Sequence, residues 1–190
     1  SLLRRAAEAG PVAAPLVASA LRQDLIDRAG PAILALGRMR CAEVREAAAA
    51  LASDPDPTVR YHAARALGEI GDDSAASLLE RLGQDEHQGV RFAAAGALAR
   101  LRRPRASETL AASLQAQIET EGGGVSSYNL ACLAALSGRL EEALTWLERA
   151  AKEGFQDPRV LLSDPDLYEL RGHPGWEDLL RRMGGDPRAD

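Results

Sequence analysis

A gapless self-similarity at 31 residues is the feature that most constrains this chain. Ala35-Leu36-Gly37 recurs as Ala66-Leu67-Gly68 and as Ala97-Leu98-Ala99, with Met39, Ile70 and Leu101 at the next apolar position. Val59-Arg60 recurs as Val90-Arg91, Asp54 as Asp85, Leu51 as Leu82 and Ala48 as Leu79. Coincidences of this kind in one register define a repeat. A repeat of this length cannot bury its apolar face alone and must stack on its neighbours.

Each period reads as two helices. In the first, Ala75, Leu78, Leu79 and Leu82 fall three or four apart and share a face. The breaker-rich turn Ser53-Asp54-Pro55-Asp56-Pro57 ends one helix and supplies an N-cap for the next. That second helix runs from Thr58 to Ile70 and is marked by Val59, Ala63, Ala66 and Leu67, before Gly71-Asp72-Asp73 stops it. The chain is 46% apolar but only 4% aromatic, because much of its apolar content is alanine, which favours helices packed closely along their backbones. The expected fold is all-α, a right-handed α-α superhelix (alpha solenoid) of stacked antiparallel helix pairs.

The segments Asp54-Pro55-Asp56-Pro57-Thr58-Val59-Arg60 and Ala63-Ala64-Arg65-Ala66-Leu67-Gly68-Glu69-Ile70-Gly71 resemble the short HEAT repeats also found in phycobilin lyases. The resemblance runs over roughly residues 12–118 and is strongest at 43–101; at 12–40 it weakens, with Ala29 in place of the arginine. It implies a hydrogen-bonded ladder between neighbouring repeats, built from the turn aspartates Asp54 and Asp85 and the helix-start arginines Arg60 and Arg91.

Residues 1–121 are expected to form the repeat region, with one more helix running through Leu110 and Leu114 to Glu121. Gly122-Gly123-Gly124 reads as a linker. Residues 125–157 read as a helical hairpin: Tyr128-Asn129-Leu130-Ala131-Cys132, a turn at Gly138-Arg139, then Ala143, Leu147 and Ala150. That spacing looks like a TPR repeat, although Ala131 and Ala134 stand where that family has Gly and Tyr. Residues 158–190 are similar to the segment closing TPR arrays in many bacterial proteins, with Leu167, Leu170, Trp176 and Leu180 expected to cap the last apolar face. Gly184-Gly185-Asp186-Pro187 resembles a frayed C-terminus, and Ser1 suggests a lost initiator Met or a cut from a longer chain.

The net charge is −5, divided as +1 over residues 1–104 and −6 over residues 105–190. This balance argues against a general nucleic-acid binder, which needs a clearly basic surface. No apolar run reaches bilayer length, and no signal-peptide core is present at the N-terminus. Cys41 and Cys132 lie far apart without metal-ligand spacing and read as buried thiols of a cytoplasmic protein. Arginine at every basic position except Lys152, together with the alanine excess, hints at a GC-rich bacterial genome.

His62, His87 and His173 show no metal spacing, and Glu86-His87 reverses the His-Glu order of HEAT-repeat metal hydroxylases. No nucleophile elbow or phosphate loop is present. Expected are no catalytic residues, no metal and no cofactor, and a non-enzymatic scaffold that binds a protein or peptide. A nucleic-acid binder using the HEAT groove, as in helical-repeat DNA glycosylases, and a lyase-type enzyme are the rival readings.

On the concave face, which the second helix of each HEAT pair lines, the period aligns Tyr61 with Phe92 and His62 with Ala93. It likewise aligns Arg65 with Gly96, and Arg38, Glu69 and Arg100 with one another. Tyr61, His62, Arg65, Glu69, Phe92, Arg100 and Arg38 are the candidate partner-binding residues, since aromatics and arginine dominate binding energy. The plainer alternative packs Phe92 against a neighbouring repeat. Asn129 sits where TPR domains often grip a peptide, and Arg100, Arg102, Arg103 and Arg105 form a basic cluster. That cluster suits an acidic partner or a phosphate, or simply the negative end of a helix dipole. The chain is expected to be a monomer or weak dimer.

Overall fold

The computed structural model describes residues 42–121, 123–155 and 157–185. Arg38, Cys41, Ala29 and the weak first repeat lie outside them. The fold is all-α, and the described residues contain no strand. The chain divides into two compact units, Ser1–Leu110 and Ala111–Asp190.

The first unit is a stack of helix pairs. Helix α1 (Ala42–Leu51) pairs with α2 (Pro57–Ile70), and α3 (Ala76–Leu82), entered through the 3-10 turn Asp73–Ala75, pairs with α4 (Gln88–Arg100). The turn chemistry explains the starts. The Asp56 carboxylate accepts from the Thr58 N–H at 2.8 Å, with Pro57 at the first helical position, and Asp72 accepts from the Ser74 N–H at 2.8 Å. Gly71, at φ 71°, ends α2 in the left-handed conformation that glycine adopts without strain.

Successive repeats meet through α2 and α4. Val59, Ala63, Leu67 and Ile70 of α2, Leu79 and Leu82 of α3, and Val90 and Leu98 of α4 are buried. The backbones come close at one point: a Cβ at Gly68 would lie 2.7 Å from both Cα and Cβ of Ala97. The repeated Ala-Leu-Gly triplet therefore reads in three dimensions as a crossing point where one residue can have no side chain.

Helix α5 (Pro104–Glu121) begins within the first unit. The buried Ser107 hydroxyl donates to the Ala95 carbonyl at 3.0 Å, and the Leu110 side chain covers Gly83. The division between the units falls inside α5, ahead of the glycine triplet where the sequence suggested a linker. Gly124 is itself buried and opens α6 (Gly124–Leu136). A Cβ there would lie 2.9 Å from the Ala150 carbonyl oxygen and from the Phe155 nitrogen, so close packing explains this glycine.

The second unit is built on the hairpin of α6 and α7 (Leu140–Lys152), which Gly138 turns at φ 76°. Then follow α8 (Pro158–Ser163), a 3-10 helix (Pro165–Gly172) and α9 (Trp176–Arg182). The 3-10 helix packs on both hairpin helices and α9 packs on α7. Leu167, Leu170, Trp176 and Leu180 are all buried, as is Trp146.

Gly68→Ala tests the crossing. Alanine improves helix propensity by about 1 kcal/mol, but overpacking against an immovable backbone costs about 1–3 kcal/mol. The expected result is a lower urea midpoint than wild type; a higher midpoint would show that α2 and α4 have room to separate.

Candidate functional site

One rung of the kind that the repeat implies joins neighbouring helix pairs. Arg60 Nε and Nη2 donate to Asp85 Oδ2 and Oδ1 at 2.7 and 2.9 Å, a bidentate pair spanning two repeats. Arg60 Nη1 donates to the Asp54 and Pro55 carbonyls at 2.9 and 3.0 Å. Only 10% of the Arg60 side chain and 9% of the Asp85 side chain stay exposed, so the pair is nearly desolvated. Asp85 Oδ1 also accepts the His87 N–H at 2.9 Å, which joins the rung to the start of α4. The Arg60 guanidinium, and after it the His87 N–H, hold the Asp85 carboxyl below its ordinary range against the opposing cost of burial.

Arg91 repeats half of this pattern. Its Nη1 donates to the Asp85 and Glu86 carbonyls at 2.8 and 3.0 Å. The position one period beyond Asp85 is Ala116, so no aspartate continues the register there. Asp54 instead closes its own turn by accepting the Asp56 N–H at 3.0 Å. Of these four residues, Arg60 and Asp85 join the two repeats side chain to side chain.

The partner-binding candidates separate into three groups. Tyr61, His62 and Arg65 stand together, half-buried, on α2. Arg65 Nη1 donates to the Tyr61 hydroxyl at 3.2 Å with its guanidinium 5.9 Å from the ring centroid, and the Tyr61 and His62 rings meet edge to face at 5.0 Å. Glu69 and Arg100 form an ion pair at 3.0 Å, with 19% and 17% of their side chains exposed, so this row joins two repeats. Phe92 retains 5% of its exposure and belongs to the core, which is the plainer alternative weighed from the sequence. Ala93 and Gly96 beside it are buried too, because α4 is covered on nearly every side. Arg38 lies outside the described residues.

His62 carries an unusual feature. Among the described residues its Nδ1 is buried without a hydrogen-bond partner. Burial first, then the Arg65 charge, hold the imidazole below its ordinary pKa, and Asp56 opposes them.

In the second unit a polar node appears that the sequence did not signal. The buried Tyr128 hydroxyl donates to Asp164 Oδ2, and the Cys132 thiol donates to the same oxygen at 3.9 Å. Asp164 Oδ1 accepts the Asp166 N–H at 2.8 Å and so starts the 3-10 helix. Tyr128 stacks on Phe155 at 4.4 Å, and burial pushes its phenol far above the usual range. Ligand atoms of Cys132, Asp164 and Asp166 lie within 4.8 Å of one another, a spacing open to a metal ion. The hydrogen bonds that Asp164 receives tie the start of the 3-10 helix to α6. Asn129, one residue from Tyr128, is half-buried on α6.

These geometries define a class: a helical-repeat protein whose first unit stacks pairs through an arginine–aspartate rung. Comparison with known proteins agrees. The profile of HEAT repeats matches residues 13–87, less than half of the chain. A chloroplastic protein of Arabidopsis thaliana is 30% identical over 100 residues, which cover 53% of this chain. The matched segment is 28% of that relative, so the chain spans little more than a quarter of its length. No solved structure matches. No described helix is long and apolar enough to cross a membrane.

The environment of His62 sets a pH dependence. Its folded pKa lies below the unfolded value of 6.5, so as pH falls through that value the unfolded chain takes up a proton that the folded chain resists. Stability from this residue is present above that pH and lost below it. Urea midpoints are expected to drop between about pH 7 and about pH 5.5, and to drop less in His62→Gln. Parallel slopes for the two proteins would show that His62 is solvated and titrates normally.

Proposed function

We propose that the chain is a non-enzymatic scaffold that binds a protein or peptide on the face of α2 presenting Tyr61, His62 and Arg65. One observation carries this reading. Repeat stacking absorbs Arg60, Asp85, Glu69, Arg100 and Phe92, yet leaves an aromatic–arginine cluster half-exposed on the helix that lines the groove in such repeats. Aromatic rings held against arginine are preordered contact surface, and their ordering entropy is partly met before a partner arrives.

The second unit acts, in this reading, as a TPR-like hairpin with a closing segment. Burial of Leu167, Leu170, Trp176 and Leu180 supports it, since a terminal unit must cover the last apolar face. A cytoplasmic setting fits the buried, reduced thiol of Cys132. The HEAT match supports a repeat scaffold and is neutral as to the partner.

Affinity capture from a lysate with wild type and with the Tyr61→Ala/Arg65→Ala variant, read by mass spectrometry, tests the proposal. A protein enriched by wild type and reduced about tenfold or more with the folded variant is expected, since two anchor truncations remove at least about 2 kcal/mol. Equal captures, or enrichment of nucleic acid alone, would set this face aside.

A further inference from the structure

We infer that the scaffold's partner carries an acidic segment, and that this segment docks on the arginines just beyond the C-terminal end of α4, Arg102 and Arg105. The inference rests on the scaffold reading and adds the chemistry of the partner. Its first support is a broken backbone rule. Helix ends at Gly71, Gly138, Gly154 and Gly184 turn through left-handed residues, with φ of 71°, 76°, 99° and 80°. The equivalent residue after α4 is Arg102, at φ 54°, the one non-glycine with positive φ among the described residues. Arg102 stands one 31-residue period after Gly71, so the repeat had a glycine solution at this place. The Arg103 N–H donates to the Leu98 carbonyl at 2.9 Å, completing the turn without help from the arginine side chain. A side chain held in a conformation that disfavours it points to work outside the fold.

The second support is electrostatic. Arg102 and Arg105 are exposed, and among the described residues neither side chain makes a hydrogen bond or an ion pair. Arg103 between them makes an exposed pair with Asp73 at 3.3 Å, which is weak. The dipole of α4 favours cations at its end, but Arg100 already serves there, and α2 ends with no basic residue in its last turn. Guanidinium groups at this density match carboxylates in a bidentate geometry. A nucleic acid fits less well, because Asp73, Glu80 and Glu108 are exposed on the same unit and the chain is −5 overall. A short acidic peptide segment presents its charges locally and avoids that repulsion.

The test is fluorescence anisotropy of a labelled poly-glutamate peptide against the full chain, with a poly-serine peptide and an oligothymidylate of equal charge as comparisons. Wild type is expected to bind poly-glutamate most tightly, and the affinity is expected to fall with added salt. Arg102→Gly/Arg105→Gln is expected to bind about tenfold more weakly, the loss of charge-assisted hydrogen bonds. Because glycine relieves the left-handed backbone, its urea midpoint should be no lower than that of wild type, which separates lost binding from lost folding. Equal affinity of variant and wild type, or poly-glutamate binding no better than poly-serine, would overturn the inference. Tighter binding of the oligothymidylate would overturn it in favour of phosphate. Capture through Tyr61 and Arg65 would survive any of these failures, since it probes a different set of side chains.

Discussion

The rest of the first unit depends on how one guanidinium is satisfied. Arg60 is nearly removed from water, and an isolated charge there would cost several kcal/mol. It is stable because its donors reach both ways along the stack: back to the Asp54 and Pro55 carbonyls, which end the preceding turn, and forward to both carboxylate oxygens of Asp85. Asp85 in turn accepts the His87 N–H in the turn just ahead of α4. The rung therefore does more than join two charges. It fixes the offset between successive helix pairs, and that offset sets Gly68 opposite Ala97 and Glu69 opposite Arg100. Apolar burial supplies the bulk of the driving force, and the polar rung adds a directional contact that favours one register.

Much of this was legible because a stacked repeat writes its contacts twice. Asp54 and Asp85, Arg60 and Arg91, and the Ala-Leu-Gly triplets stand one period apart, so register in the sequence became register in space. The helix pairs and their caps follow from the same breakers. Phe92 escaped this logic for a physical reason. Its alignment with Tyr61 suggested an exposed ridge, but α4 carries an unbroken run from Phe92 to Leu98 of small or apolar residues, buried throughout. A helix packed on nearly every side shows no polar face, and periodicity cannot tell its inner positions from its outer ones. The pairing of Glu69 with Arg100 was visible as opposite charges one period apart; its consequence, that both are occupied, needed the structure.

In the second unit the helical hairpin and the burial of Leu167, Leu170, Trp176 and Leu180 could be read, since glycine at the turn and leucines at helical spacing are local signals. The node of Tyr128, Cys132 and Asp164 could not. Asp164 is separated from Tyr128 and Cys132 by a whole helix and more, and nothing repeats to announce the contact. Gly124 misled in the opposite direction: three consecutive glycines suggest slack, yet this one is fixed by the approach of Ala150 and Phe155. The same contrast separates Gly71 from Arg102. One obeys the rule for a left-handed helix end and carries no message beyond the fold, while the other breaks it where positive charge gathers.

A double-mutant cycle on Arg60→Met and Asp85→Asn, followed by urea denaturation, tests most directly whether the rung sets the stack. Each single variant leaves a desolvated polar group without its partner, while the double variant removes both charges together. The account predicts a coupling energy of about 2 kcal/mol, with the double variant losing far less stability than the two single losses combined. Additive losses would mean that the pair is solvated or replaceable, and that apolar packing alone sets the register between the repeats.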